Sequence, residues 1–217
     1  MSRVCAAWFA GMLLLSAAAL RAQPDAPLLA DDLQIVVLPR EVLSIDARGG
    51  GQLAAPLELG ERVLWTGVRG RVGVALTDRR VLAVSTQSGA WQETRYRRTE
   101  DIPGEPLLGG RVALLSTQVR VIGFDGGSGN LVERELGPRE TLVDRAVGDN
   151  VAVAVTDRRA LGLSPFAGGF FEAKLRLGER LEGLSVVANA ATLTTSRRLL
   201  IFRAPTGTWE ERSLDVR

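Results

Sequence analysis

One interval governs the chain. Leu38, Thr77, Thr117, Thr156 and Thr195 stand 39, 40, 39 and 39 residues apart, and the same residue types return at fixed distances from each of them. Three residues on are Glu41, Arg80, Arg120, Arg159 and Arg198. Twelve on, Gly50, Gly89, Gly129, Gly168 and Gly207 are glycine in all five copies. Two further on come Gln52, Trp91, Leu131, Phe170 and Trp209, and sixteen from the anchor are Ala54, Glu93, Glu133, Glu172 and Glu211. Agreement at several offsets at once marks an internal repeat, and a period of this length belongs to stacked supersecondary units.

Each copy reads as four short strands. The first spans Val63 to Val68, or Leu142 to Val147; the second spans Val72 to Thr77, or Val151 to Thr156. The third is Val81 to Val84, echoed by Val121 to Phe124 and Leu199 to Phe202, and a glycine turn leads into a polar fourth, such as Trp91 to Arg97. On the third strand Leu82/Val84, Ile122/Phe124 and Leu161/Leu163 alternate with Ala83, Gly123 and Gly162. Apolar residues on both faces mean a strand covered on both sides, and the small ones let a neighbouring sheet come close. The fourth strand carries Arg95, Arg97, Glu135, Arg212 and Pro56, the charges and proline that blunt an exposed edge.

These features predict an all-β fold of five tandem four-stranded repeats of about 39 residues over 23–217, a five-bladed β-propeller whose sheets stack around an axis. The run Val81-Leu82-Ala83-Val84-Ser85-Thr86-Gln87-Ser88-Gly89-Ala90-Trp91 resembles the strand, Ser/Thr-Gly turn and Trp of quinoprotein-like and WD40-like propellers, as does Leu200 to Trp209. No Trp-Asp dipeptide ends a third strand, and the spacing from Gly to Trp is shorter than in the quinoprotein type. The resemblance implies an architecture and no particular activity.

Residues 1–22 read as a secretory signal peptide. Arg3 is followed by an apolar stretch from Val4 to Leu20, then by small residues and Ala22 before Gln23-Pro24. That predicts a periplasmic or secreted protein, with no membrane span once the signal is removed. Cys5, the only cysteine, lies inside this segment, so the mature part is expected to have neither disulfides nor thiol chemistry. Of the 27 basic residues two, Arg3 and Arg21, fall there as well; without them the bases balance the 25 acids. No run of five bases occurs, which argues against a nucleic-acid partner.

Histidine is absent, which removes Ser-His-Asp triads and nearly every zinc site. No catalytic residue, cofactor site or metal site is predicted. Asp125-Gly126-Gly127-Ser128-Gly129-Asn130 has the outline of a calcium loop but lacks ligands at its third and fifth positions. Asp31, Asp32, Asp125, Asp144 and Asp149 are the unrepeated acids from which a carboxylate hydrolase would have to draw. Asp78 and Asp157 repeat beside the Arg pairs and read as turn acceptors, with Ser196 taking the same place in the fifth copy. Trp91 and Trp209 read as packing rather than sugar-stacking residues.

The candidate partner-binding face is the end with the turns between second and third strands: Arg79, Arg80, Arg158, Arg159, Arg197 and Arg198, with Asp101 from the longest connection. Acids sixteen before the anchor, Glu61, Asp101, Glu140 and Glu179, are expected to pair with these arginines. The Glu93 series is expected to lie too far along the sheet to reach them. The function that follows is an exported, non-enzymatic binding or scaffold module for a protein or envelope component. A carbohydrate-active protein, lectin or hydrolase, is the alternative, and a subunit completing a larger ring is a third reading.

Overall fold

The structure is a computed structural model that describes residues 31–214; the expected signal segment, 1–22, lies outside the described residues. Within them the chain forms nineteen strands in five consecutive antiparallel sheets. Sheet I holds β1 (Leu33–Leu38), β2 (Glu41–Asp46) and β3 (Gln52–Pro56). Sheet II holds β4 (Val63–Arg69), β5 (Val72–Thr77), β6 (Arg80–Ser85) and β7 (Gln92–Arg95). Sheet III holds β8 (Leu107–Leu108), β9 (Val112–Ser116), β10 (Arg120–Asp125) and β11 (Asn130–Glu135). Sheet IV holds β12 (Leu142–Val147), β13 (Ala152–Thr156), β14 (Arg159–Ser164) and β15 (Gly169–Lys174). Sheet V holds β16 (Leu181–Val187), β17 (Ala190–Thr195), β18 (Arg198–Arg203) and β19 (Thr208–Ser213). Every sheet is a meander, each strand pairing with its sequence neighbours. In sheet I the described residues supply the equivalents of the second, third and fourth strands.

The repeat's glycine twelve after the anchor has a backbone reason. Gly50, Gly129, Gly168 and Gly207 have φ of 69°, 74°, 70° and 64°, the left-handed region that closes the turn into the fourth strand. The small residues of the third strand have a packing reason. A Cβ at Gly162 would lie 2.7 Å from the Phe202 ring, and one at Gly123 would lie 2.8 Å from Phe170. The chain has no side chain there because the next sheet's aromatic lies against the backbone.

Sheets pack face to face. One face of sheet II (Val74, Leu76, Val81, Ala83) meets Ala113, Leu115, Ile122 and Phe124 of sheet III. Its other face, Ala75 and Leu82, meets Val42 and Ala55 of sheet I. Val153, Val155 and Ala160 of sheet IV meet Leu193, Leu200 and Phe202 of sheet V. The two middle strands of sheets II and IV, and β10 of sheet III, are buried along nearly their full length, as the pattern of apolar residues on both faces requires.

Sheets I and V differ. On β17 and β18 burial alternates residue by residue, and on β2 Val42 and Ser44 are buried while Leu43 and Ile45 are partly open. The outward faces, Val36, Leu43 and Ile45 at one end and Thr192, Thr194, Leu199 and Ile201 at the other, are not sealed. The expected closed ring is therefore not what the burial shows. The residues account for it. Thr192 and Thr194 stand where sheets II and IV have Val74/Leu76 and Val153/Val155, so the last face is more polar than an internal one. Terminal units of a repeat array commonly carry such a face.

This asymmetry is testable with one substitution at one repeat position. Leu161→Glu, at a fully buried site, should cost more than about 4 kcal/mol, because it buries an unpaired charge. Leu43→Glu, its counterpart in sheet I, should cost about 1 kcal/mol or less. Urea unfolding of the two variants measures this. Equal losses would mean that the terminal sheets seal against each other in solution.

Candidate functional site

The end of the molecule that carries the arginine turns is built from one repeated cluster. At each turn the anchor threonine accepts two backbone N–H groups. Thr77 Oγ1 receives those of Arg79 at 3.1 Å and Arg80 at 2.9 Å, and Thr195 repeats the pattern with Arg197 and Arg198 at 3.3 and 3.0 Å. The hydroxyl proton goes to a glutamate: Thr117 to Glu100 at 2.7 Å, Thr156 to Glu140 at 2.8 Å, Thr195 to Glu179 at 2.7 Å. The turn thus aims the following arginine inward.

That arginine is consumed completely. Arg120 donates through Nε and Nη2 to both oxygens of Glu100, each at 2.8 Å, and through Nη1 to Glu133 at 2.6 Å. Its Nη2 also reaches the Arg95 carbonyl of the preceding sheet at 2.7 Å. Arg159 does the same with Glu140, Glu172 and the Glu135 carbonyl. Arg80 uses Glu61, Glu93 and the Pro56 carbonyl; Arg198 uses Glu179, Glu211 and the Lys174 carbonyl. The glutamate in the connecting loop is occupied on its other side, accepting the N–H of Glu58, Arg97, Gly137 or Arg176. Each cluster therefore ties a sheet to the last strand of the sheet before it and to the loop between them.

Two sequence expectations are corrected here. The loop acid of the third copy is Glu100 and not Asp101. The one-residue insertion that lengthens this period shifts the acid by one, and Asp101 is exposed, its N–H donating to Gln118 at 3.2 Å. The Glu93 series does reach the arginines. Glu93 pairs across from Leu82, only two residues along the strand from Arg80, and the long guanidinium stem covers that diagonal. Arg80, Arg120 and Arg198 are accordingly buried, at 6%, 3% and 7% exposure, rather than displayed.

Burial by itself pushes the carboxyls of Glu61, Glu100, Glu140 and Glu179 up. Hydrogen bonds from the arginine, the loop N–H and the anchor hydroxyl more than offset it, and all four end below the ordinary glutamate value. Glu179 is lowered to about 2.

Where the turn carries an arginine pair, in sheets II, IV and V, the first arginine lies nearer the surface than the second; in sheet III its place is held by Val119. Arg158 and Arg197 are exposed, and Arg79 is partly buried between Glu58, at 2.9 Å, and the Leu59 carbonyl. Asp78 and Asp157 accept the N–H of Arg62 and Thr141 at 3.0 Å, and Ser196 accepts that of Arg180 at 3.2 Å. All three accept a backbone N–H, as expected, but from the residue sixteen earlier and not from their own turn. The indole N–H groups of Trp91 and Trp209 donate to Leu53 and Phe171 carbonyls of the preceding sheet, at 2.9 and 3.0 Å, which commits both rings to packing. Asp125 is buried and caps its own turn, accepting from Gly127, Ser128 and the Ser128 hydroxyl.

The opposite end holds a feature that residue spacing does not reveal. The turns between first and second strands converge there and line a cavity of about 500 Å³ with Asp32, Gly70, Arg71, Gly110, Arg111, Asp149, Asn150 and Asn189, joined by Arg48 and Phe166. The turns are stitched in series. Asp32 N–H donates to Gly70 O at 2.7 Å, Arg71 to Gly110 at 2.9 Å, Arg111 to Asp149 at 2.8 Å and Asn150 to Ala188 at 2.8 Å. Among the described residues no such bond joins Asn189 to Asp31, in keeping with the open seam between sheets V and I. The signal in the sequence is faint: these turn residues share a repeat offset but not a residue type.

No protein-family model and no curated protein matches the chain. Solved β-propeller structures are similar to it at low identity. Human WBSCR16 is 13% identical, with 79% of this chain and 62% of that one covered and a TM-score of 0.40. Prp20p from Saccharomyces cerevisiae, described with its binding properties to Gsp1p and histones, is 11% identical, with 80% and 55% covered and a TM-score of 0.40. Apo AztD from Citrobacter koseri is 13% identical, with 84% and 60% covered and a TM-score of 0.38. The chain thus spans 62% or less of the length of these three. The architecture rests on the sheet order and packing described above.

Two outcomes follow for the buried clusters. Arg120→Met strands Glu100 and should cost about 3–5 kcal/mol in urea unfolding; a loss under 1 kcal/mol would show the cluster to be dispensable. The second concerns acid. A carboxyl held below its ordinary value stabilises the fold above the unfolded pKa, near 4.5, and that contribution disappears as pH falls toward the folded value, about 2 for Glu179. The melting temperature should therefore fall between pH 4.5 and 2. The gap between the parent and Arg198→Met should narrow over the same range, and a gap that stays constant would contradict the assignment.

Proposed function

We propose that this protein is an exported, non-catalytic binding module with five propeller blades, periplasmic or secreted, that recognises a protein or envelope component through the face carrying its arginine turns. The observation that carries this reading is the division of labour within each arginine pair. The second member, Arg80, Arg159 or Arg198, is taken up by the cluster that ties sheet to sheet, whereas the first, Arg158 or Arg197, stands exposed at the same place on successive rigid sheets. Loops held by a rigid scaffold are the usual seat of recognition. An exposed guanidinium presents a planar fork that suits carboxylate or phosphate groups on a partner. The carbohydrate-active reading loses support because both tryptophans that would stack a sugar lie between sheets.

The test is capture from a native cell envelope by the parent and by Arg79→Gln/Arg158→Gln/Arg197→Gln. Capture by the triple variant should fall at least tenfold, with a melting temperature within a few degrees of the parent. Undiminished capture would move the binding site to another face. Glycan retained equally by both proteins would favour the carbohydrate reading.

A further inference from the structure

The cavity at the other end of the molecule is lined by Gly110, whose N–H no described residue accepts. In sheet II the turn amide of Gly70 donates to the carboxylate of Asp31 at 2.8 Å, one repeat earlier. Gly110 is the equivalent residue of sheet III, and its N–H has no acceptor among the described residues. The residue one repeat before it is Gly70, which offers no side chain. Nor can that position supply one: Gly70 has φ of 56°, and a Cβ on it would lie 2.9 Å from Gly110 Cα and O. A buried N–H without a partner is costly, so an acceptor has to come from outside the turn.

The surroundings say what kind. Gly110 lies between Arg71 and Arg111 in the sequence of stitched turns, and all three line the cavity. Asp32 is held by Arg48 at 2.6 Å and meets Arg71 only at 3.7 Å. Arg111 has no carboxylate within ion-pair distance among the described residues; its guanidinium carbon sits 6.0 Å from the centre of the Phe166 ring. Asp149 faces the same space, with Arg69 3.9 Å away. At 500 Å³ the space exceeds the needs of one water.

We infer that this cavity binds a small organic carboxylate, one oxygen on the Gly110 N–H as the Asp31 oxygen sits on that of Gly70, with Arg71 and Arg111 as the charged donors. The site lies at the opposite end from the arginine-turn face and stands independently of it. A charged hydrogen bond to backbone N–H plus two guanidinium groups is the arrangement that favours an anion over water. Asn150 and Asn189, bonded to each other at 2.7 Å, add polar wall on the side of sheets IV and V.

The experiment is a titration of the 15N-labelled protein with succinate, with neutral succinamide in parallel. Succinate should move the Gly110 amide resonance saturably, while the Gly70 amide, already bonded to Asp31, moves little. Arg111→Gln and Arg71→Gln should each weaken the apparent Kd at least tenfold, and Arg111→Lys, which keeps the charge, should weaken it less. Asp32 keeps Arg48 in the Arg71 variant, so its spectrum should remain that of a folded protein. No saturable movement at Gly110, an equal response to succinamide, or unchanged affinity in folded variants would each overturn the assignment.

Discussion

Each junction between consecutive sheets turns on one guanidinium group. A β-meander has no reason to stack on the next at a fixed angle unless something specifies the angle. Hydrophobic faces press sheets together without direction, but Arg80, Arg120, Arg159 and Arg198 each reach a preceding-sheet carbonyl, a loop glutamate and a glutamate of their own sheet at once. Those fixed contacts hold the last strand of one sheet, the loop and the middle of the next in register. The threonine beside the arginine makes this possible, because it bends the hairpin turn so that the side chain points into the junction.

The cluster is a source of specificity more than of net stability. Removing an arginine and two carboxylates from water is unfavourable, and the pairing returns that cost only when every donor and acceptor is matched. Here the matching extends to backbone groups at both ends, which is why the loop glutamates stay ionised in spite of burial. The stabilising mass lies elsewhere, in the apolar faces where Phe124, Leu161, Leu193 and Phe202 are wholly enclosed. Glycine at 123 and 162 then lets the aromatic of one sheet press on the backbone of the next.

Much of this was legible in the residues. The period gave the sheets, the alternation of large and small side chains gave the two-sided burial, and the Asp78, Asp157 and Ser196 acceptor role followed from their shared offset. Two kinds of information were not. Diagonal reach across a hairpin depends on how far an arginine stem extends over two residues of strand, which spacing alone does not state; by spacing alone Glu93 and its counterparts lie out of range. An insertion inside a repeat also breaks the correspondence that spacing relies on, and Asp101 took the place that belongs to Glu100. The cavity at the opposite end is not legible in the spacing either, because its lining comes from turns whose positions repeat while their chemistry does not.

Copy one carries none of the latch residues. It has Leu38 for the threonine, Glu41 for the arginine and Ala54 for the glutamate, losing all three members of a cluster whose purpose is to hold a preceding sheet. Their joint replacement is what a sheet without a latched predecessor requires. The same logic runs through sheet V, where Thr192 and Thr194 replace aliphatic residues on the face that no described sheet covers. The latch is thus absent from the first copy, and the apolar face is diluted in sheet V. The four junctions between them are the places where the chain specifies contact with itself.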